Sequence, residues 1–225
     1  MDNLDVAVLG TGPVGRAVAG RLAELGHRVT IGTRDPTGTT AREEYAAWAE
    51  EHSGVGLATF AEAAAGAQLV VNASGGDVAL GILEAAGADN LAGKVLLDIS
   101  NPLDSSKGFP PTLFVKDDDS LAEMIQRAHP DARVVKSLNT MNNSVMVDPQ
   151  RLGEDTTVFV SGDDADAKAT VTELLGALGH GDVIDLGGIE TARGPEMWLP
   201  LWIRINLALG GNDFNIKVVR GPSLR

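Results

Sequence analysis

The sequence contains no cysteine, which excludes a disulfide framework, a thiol nucleophile and any metal site built on thiolates. It also has no apolar run that approaches about 18 residues, the length that a membrane-spanning helix needs. The first residues, Met1-Asp2-Asn3, have neither the basic nor the apolar region of a signal peptide. We therefore expect a soluble, cytoplasmic protein that has no membrane partner.

Positive charge is scarce. The chain has 18 Lys and Arg against 31 Asp and Glu, a net charge of −13 at pH 7. So acidic a chain repels nucleic acids and anionic membranes, and we expect neither as a partner. An anionic cofactor would need a site that gathers its own local donors. The 225 residues are enough for one large or two small domains with a sizeable core.

Residues suited to acid–base or metal chemistry are few and scattered. His27, His52, His129 and His180 show no triad spacing, and none follows the carboxyl end of a predicted strand. We expect structural roles for all four. The run 117–119 consists of aspartates, but adjacent residues do not converge on one ion, and a solvated loop is the favoured interpretation. The sequence therefore predicts neither a catalytic residue nor a metal site.

The chain opens on a strand, a glycine turn, a helix and a second strand. An apolar run at 6–9 enters Gly10-Thr11-Gly12-Pro13-Val14-Gly15, a helical stretch extends to Gly26, and a second apolar run occupies 29–31. This is G-x-G-x-x-G in the context that dinucleotide binding requires. Gly10 allows a tight turn, Gly12 lets backbone approach a pyrophosphate, and Gly15 lets the helix lie close to the strand. The alternative is a βαβ unit that binds nothing.

The end of the second strand distinguishes NADP from NAD. NAD-binding versions place an acidic residue here, whereas this chain has Thr33 and Arg34. A hydroxyl and a guanidinium suit a 2′-phosphate, which a carboxylate would repel. The sequence therefore favours NADP. The alternative is that Asp35 takes the acidic role, although Asp35-Pro36 is more typical of the start of a turn or helix.

Polar loops follow three more predicted strands, at 68–73, 94–99 and 133–138. The first strand ends at Ala73 and is followed by Ser74-Gly75-Gly76, the second loop is Ser100-Asn101-Pro102, and the third starts at Asn139. Open α/β sheets bind ligands at the carboxyl ends of their strands. These loops are therefore predicted to line the cofactor site, and ordinary turns are the alternative.

Elsewhere the pattern predicts a helix over 38–52, capped by Thr39 or Thr40, and a long segment without regular structure over 104–119. Such a segment is either a binding flap or disordered. The pattern restarts near Gly153, with strands at 157–162 and 183–186, a helix between them and a long segment over 192–210. We predict a Rossmann-type doubly wound α/β fold whose sheet is mostly parallel. Residues 1–150 would form an NADP-binding domain, and residues 151–225 a small α+β portion packed on it.

The whole chain resembles the NADPH:coenzyme F-420 (F420) oxidoreductases, which couple NADP to a deazaflavin. The stretches that carry the resemblance are LGTGPVG (9–15), GHRVTIGTR (26–34), VVKSLNT (134–140), VSGDD (160–164), DLGGIETAR (185–193), PLWIRIN (200–206) and FNIKVV (214–219). The last two match the closing helix and terminal strand of the family. This chain departs from the family pattern at Asp35, where a second basic residue is usual, at Asn139, where histidine is frequent, and in the loop 73–76.

The resemblance implies that NADP(H) and F420 bind at the carboxyl edge of the sheet. The C-terminal portion would cover this edge and form the deazaflavin pocket in a homodimer. Thr11, Thr33 and Arg34 would contact NADP, and residues 137–139 would lie between the two rings. The full set of predicted cofactor-binding residues is Gly10, Thr11, Gly12, Pro13, Val14, Gly15, Thr33, Arg34, Ala73, Ser74, Gly75, Ser100, Asn101, Pro102, Ser137, Leu138 and Asn139.

The expected reaction is direct hydride transfer between the nicotinamide and the deazaflavin. Positioning carries most of the rate in such a step, so the lack of an evident acid or base is consistent with it. One alternative is a reductase of a small carbonyl or imine, in which Lys136 would be the proton donor. The other is a non-catalytic NADP-binding sensor.

Overall fold

The computed structural model of the protein describes residues 3–221. Met1 and Asp2, at the start of the predicted NADP-binding domain, and residues 222–225, at the end of the predicted C-terminal portion, lie outside the described residues. The strands are β1 Asp5–Leu9, β2 Arg28–Thr33, β3 Gly56–Thr59, β4 Leu69–Asn72, β5 Val95–Asp98, β6 Leu103–Asp104, β7 Thr112–Leu113, β8 Arg133–Lys136, β9 Thr157–Ser161 and β10 Asp182–Gly187. The helices are α1 Pro13–Glu24, α2 Pro36–Thr40, α3 Glu43–Glu51, α4 Phe60–Gly66, α5 Ala79–Ala86, α6 Ala88–Leu91, α7 Leu121–Ala128, α8 Asn143–Val147, α9 Ala165–Leu178, α10 Arg193–Met197 and α11 Leu199–Leu209.

Eight strands form one sheet in the order β10-β9-β8-β5-β4-β1-β2-β3. The strands from β8 to β3 are parallel to their neighbours, as are β9 and β10, while β8 and β9 meet antiparallel through Lys136 and Ser161. The predicted Rossmann-type, mostly parallel sheet is therefore confirmed. Its carboxyl edge collects the ends of β1, β4, β5 and β8, where the polar loops begin.

Both faces of the sheet are covered. Val6 and Val8 of β1 belong to one apolar cluster, which includes side chains from α1, α8 and α9. Ala7 and Leu9 belong to the other, with side chains from α4, α5 and α7. Side chains alternate between the faces of a strand, and a strand buried on both faces reads as a continuous apolar run. This explains the unbroken hydrophobic stretches in the sequence.

The helix predicted over 38–52 is two helices. Asp35 caps α2, where its carboxylate accepts the Gly38 N–H at 3.0 Å, and Pro36 occupies the first turn. The chain then turns at Arg42, which has extended backbone (φ −80°, ψ 119°) and precedes α3. The prediction of a single helix capped by Thr39 or Thr40 was wrong, because Asp35 caps a helix that already begins at Pro36 and the extended backbone of Arg42 separates that helix from α3.

Two more segments differ from the sequence-based expectation. Within 104–119, β6 and β7 pair antiparallel and form a short hairpin, so the segment is partly regular. The terminal strand implied for 214–219 is not formed. Instead, the Thr157 N–H donates to Ile216 O at 2.9 Å and the Val218 N–H donates to the Thr157 hydroxyl. β9 pairs with β8 only at Ser161, and the tail bonds to the start of β9 without becoming part of the sheet.

In residues 3–221, no helix combines the length and hydropathy that a membrane crossing requires. The same residues contain no cluster of three or more His, Cys, Asp or Glu side chains that could hold a metal ion.

Candidate functional site

A cavity of about 990 Å³ lies at the carboxyl edge of the sheet. It is bordered by the glycine turn, by the loops after β4, β5 and β8, by the β6–β7 hairpin and by α11. The predicted residues that line it are Val14, Ala73, Ser74, Gly75, Ser100, Asn101 and Asn139. The volume is at the upper end of the range typical of ligand sites. Because these residues belong to the glycine turn and to all three predicted loops, the loops do converge on one space.

The glycine turn fits closely to the structure behind it. A Cβ on Gly15 would lie 2.1 Å from Gly10 O, and a Cβ on Gly10 would lie 2.7 Å from Ala73 O. Gly10 also has φ +132°, a conformation that favours glycine. A Cβ on Gly12, by contrast, would meet no atom within 4 Å. Gly10 and Gly15 therefore serve the packing of the turn, while Gly12 faces open space at the amino end of α1.

Thr33 and Arg34 are in different environments at the end of β2. Thr33 is buried, and its hydroxyl lies 2.9 Å from the Thr39 hydroxyl. The Arg42 guanidinium donates to Thr39 at 2.7 Å and reaches the Thr11 hydroxyl at 3.4 Å. Arg34 is exposed, and its side chain has no hydrogen bond or ion pair within residues 3–221. The outer end of the glycine turn is thus bordered by the hydroxyls of Thr11, Thr33 and Thr39 and by the guanidinium of Arg42.

The hydroxyls after β4 and β5 are occupied by the protein itself. Asp98 is fully buried and accepts hydrogen bonds from Asn72 at 2.8 Å and from the Ser100 hydroxyl at 2.7 Å. The Ser74 hydroxyl donates to Asn72 Oδ1 at 2.6 Å. These bonds link the ends of β4 and β5, and they orient the loops that line the cavity.

Asn101 and Asn139 form a reciprocal amide pair across the cavity floor. Asn139 Nδ2 donates to Asn101 Oδ1 at 2.9 Å and to Pro195 O at 3.0 Å, and Asn101 Nδ2 donates to Asn139 O at 3.1 Å. Asn139 Oδ1 is buried and finds no partner among the described residues. A buried acceptor without a donor is costly, so Asn139 offers an acceptor for a donor from outside the chain.

Not every predicted residue faces the cavity. The Ser137 hydroxyl donates to Phe159 O at 2.7 Å, which ties β8 to β9. Leu138 packs in the core with φ +61°, a left-handed conformation that is unusual for leucine. This turn directs Asn139 back to the cavity. Pro102 is buried and its carbonyl accepts from Phe114 N, which fastens the hairpin.

A cluster of buried charges lies beneath the floor. The ammonium of Lys136 contacts Asp98 at 2.7 Å, Glu196 at 2.9 Å and Ser100 O at 2.6 Å. Glu196 also accepts the backbone N–H groups of Leu121 and Ala122 at the start of α7. Burial opposes the charge on Lys136, but the two carboxylates outweigh it and raise the pKa of Lys136 above its ordinary value. Lys136 therefore stays charged and does not line the cavity.

The apolar side of the cavity was missed from the sequence. Met141, Met146, Leu199 and Trp202 line it, and Trp202 stacks on Phe214 with ring centroids 5.2 Å apart. Trp202 Nε1 is buried and has no acceptor among residues 3–221. The resemblance implied that the C-terminal portion covers this edge, but none of these four residues was among the predicted site residues, because their contact with the cavity depends on how α11 crosses the sheet edge.

Acid–base groups are few around the cavity. Of the residues that the structure describes, those lining it include the carboxylates Asp77 and Asp104 but no histidine, lysine or tyrosine. Hydrogen bonds from Ser106 lower the pKa of Asp104 below its ordinary value, so this carboxyl is ionised at neutral pH. The lining suits binding and orientation of flat rings better than proton transfer from a strong acid.

Comparisons with known proteins agree with this geometry. The family model described as NADP oxidoreductase, coenzyme F420-dependent, matches residues 5–102. An F420-dependent NADP reductase of Methanothermobacter marburgensis is 31% identical over 97% of this chain and 100% of its own. The rat metalloreductase STEAP3 is 30% identical over 91% of this chain, but the chain spans only 39% of its length.

Two solved structures show how far the likeness in fold extends. A crystal structure from Arthrobacter sp. FB24, provisionally named an F420-dependent NADP-reductase, has a TM-score of 0.96 and 61% identity, and it covers 97% of this chain and 100% of its own. An imine reductase from Pseudomonas sp. has a TM-score of 0.63 at 22% identity over 93% of this chain and 64% of its own, a likeness of fold alone. The protein is an oxidoreductase, and the chain belongs to the F420-dependent NADP reductase family.

Proposed function

We propose that the protein transfers a hydride between NADP(H) and the deazaflavin coenzyme F420. The observation that carries this proposal is that one continuous cavity extends from the glycine turn to an apolar wall and is large enough for two rings. When bound, NADP(H) and F420 supply the two carbons between which the hydride moves. One proton is exchanged between the reduced or oxidised deazaflavin and water. The chain supplies binding and orientation.

The glycine turn is proposed to hold the nucleotide. Gly12 leaves room for a pyrophosphate, and the free N–H groups at the start of α1 favour its negative charge. Residues 10–15 with Thr33 and Arg34 are assigned to this end of NADP(H). The loops 73–75 and 100–102 would hold the ribose and nicotinamide side, where the Asn139 acceptor suits a carboxamide N–H.

The apolar wall is proposed to hold the deazaflavin. Met141, Met146, Leu199 and Trp202 present flat and flexible apolar surface, and the unpartnered Trp202 Nε1 offers one donor to a ring carbonyl or nitrogen. Residues 137–139 are proposed to lie between this wall and the nicotinamide side, and of these only Asn139 lines the cavity.

A reductase of small carbonyls or imines is the less favoured function. Such a reaction needs a proton donor at the substrate, and Lys136, the donor suggested by the sequence, is enclosed in ion pairs beneath the floor. The imine reductase likeness concerns the fold only. No observation on the described residues favours this alternative over the deazaflavin.

The test is an absorbance assay with purified protein, NADPH and oxidised F420. We expect loss of the deazaflavin absorbance, and no turnover when flavin mononucleotide replaces F420, because its ring differs at the accepting position. Retained NADPH binding without turnover of F420 would contradict the proposal and leave the other reductases and the non-catalytic sensor.

We further propose a homodimer of cytoplasmic chains in which 1–150 form the NADP-binding domain and 151–225 the smaller portion. Leu201, Leu207 and Leu209 of α11 are exposed, and several exposed leucines on one helix are typical of protein contacts. The sheet direction reverses between β8 and β9, which supports a boundary near residue 150. Light scattering on the purified chain measures the oligomeric state directly, and a monomer would contradict this part.

A further inference from the structure

Arg42 lies between α2 and α3, where its side chain comes close to the glycine turn. Its backbone there is extended, and it is the residue that immediately precedes α3. The guanidinium reaches Thr39, 2.7 Å away, and Thr11, 3.4 Å away. Thr39 in turn lies 2.9 Å from Thr33 at the end of β2.

The charge of Arg42 is not neutralised by the chain. Among residues 3–221 its guanidinium forms no ion pair, and its hydrogen-bond partners are the neutral hydroxyls of Thr11 and Thr39. The neighbouring Arg16 is different, because both of its terminal nitrogens bond to Glu44. In a chain of net charge −13, an arginine that meets only hydroxyls has donors left for an anion.

Asp35 does not compete for this place. Its carboxylate accepts the Gly38 N–H and caps α2, which accounts for the one acidic residue that suggested NAD. The space beside Thr11 is therefore bordered by hydroxyls and by Arg42, a combination that suits a phosphate monoester and offers no carboxylate to the two hydroxyls of an unmodified ribose.

We infer that Arg42 is a specificity-determining residue, which selects NADP(H) over NAD(H) by binding the 2′-phosphate together with Thr11 and Thr39. The inference rests on the proposed function. Arg42 is thus a second basic residue beside Arg34. It lies beyond the end of β2, which is where sequence patterns place the residue that distinguishes NADP from NAD. Thr33 acts through Thr39, whose hydroxyl holds the guanidinium in place.

The experiment measures binding and not turnover. Dissociation constants for NADPH, NADH, adenosine 2′,5′-bisphosphate and adenosine 5′-monophosphate are determined for the wild type, Arg42→Ala, Arg42→Lys and Thr39→Val. Arg28→Ala is the matched control, because Arg28 is an exposed arginine at the opposite end of β2 that pairs with Asp5. Thermal unfolding of each variant shows whether it is folded.

Arg42→Ala should weaken NADPH and the bisphosphate ~10- to 100-fold, the range for charge-assisted hydrogen bonds lost to one group. Affinity for NADH and the monophosphate should change less than about threefold. Arg42→Lys should keep part of the preference because it keeps the charge but loses the planar fork, and Thr39→Val should lose part of it. Arg28→Ala should bind as the wild type does.

The two possible failures are distinguishable. If the wild type prefers NADPH and Arg42→Ala keeps that preference, the inference is overturned and the proposed function stands. If NADPH and NADH affinities fall together in a folded Arg42→Ala, the residue shapes the turn and does not read the phosphate, which also overturns it. A wild type that binds both dinucleotides equally would contradict the NADP assignment itself.

Discussion

The two ends of the cavity are built in different ways. At the proposed nucleotide end, the glycine turn is shaped by backbone contacts between neighbouring segments, in which Gly10 and Gly15 leave no room for a Cβ. At the other end, the floor depends on side chains from distant parts of the chain. Asp98, Lys136 and Glu196 come from β5, β8 and α10, and they meet as buried charges.

This difference implies two kinds of sensitivity. A turn made of backbone tolerates change where a side chain would face open space and fails where it would meet a carbonyl. A buried charge cluster depends on all its members together, because each charge is stable only while its partners remain. The charged floor also joins α10 and the start of α7 to the sheet, so it supports the loops that carry Asn101 and Asn139.

The largest effect is expected for Lys136→Met. This change leaves Asp98 and Glu196 buried without a cation, and breaking a buried ion pair from one side costs about 3–5 kcal/mol. Denaturant unfolding should show this loss. Adding Glu196→Gln and Asp98→Asn to Lys136→Met should recover part of the stability, because no uncompensated charge then remains. Equal stability of the wild type and Lys136→Met would mean that the floor is not held by charge.

The next effect concerns the turn, where Gly15→Ala and Gly12→Ala form a matched pair. Gly15→Ala places a Cβ against Gly10 O and should destabilise the fold by about 1–3 kcal/mol, the usual cost of overpacking, with loss of NADPH binding. Gly12→Ala should melt near the wild-type temperature, because its Cβ meets nothing, yet weaken NADPH. Unfolding curves and NADPH titrations are the measurements. Normal NADPH affinity in Gly12→Ala would place the pyrophosphate elsewhere.

A smaller effect is expected at the apolar wall. Trp202→Leu removes the indole that stacks on Phe214 and should raise the KM for F420 ~10-fold, since an aromatic contact contributes of the order of 1 kcal/mol beyond its area. The NADPH dissociation constant should stay unchanged. Trp198→Phe is the control, because Trp198 does not line the cavity and its Nε1 bonds to Thr140 O. Equal KM shifts in both variants would remove Trp202 from the site.

The smallest effect is a dependence of stability on pH. Burial lowers the pKa of His180 below its ordinary value, against a smaller opposing contribution from the Met146 carbonyl. The unfolded chain therefore takes up the proton first, so the stability is fully present above about pH 6.5 and is lost as pH falls below it. His180→Gln should reduce the change of the melting temperature between pH 7 and pH 5. An unchanged slope would show that His180 does not contribute to it.

The order of elements, the parallel sheet and the meeting of polar loops at one edge were predictable, because they follow from local patterns and from the rule that parallel strands end together. Asp35-Pro36 also indicated the start of α2. The enclosure of Lys136 was not predictable, since its partner Glu196 lies far along the chain. The position of Arg42 was not predictable either, because the helical pattern in the sequence continues across the boundary between α2 and α3.

The glycine turn is encoded locally in the sequence. Each of its requirements concerns residues within one strand–turn–helix unit, where backbone sterics leave few conformations. The sequence also determined that Thr33 and Arg34 follow that unit. The pairing of the arginines near the turn arises only in the folded chain, where Arg16 binds Glu44 while Arg34 and Arg42 have no ion pair among the described residues. The same is true of the side chains that close the opposite end of the cavity. Those outcomes depend on burial and on pairing between distant segments, whose free energies arise only when the chain is folded.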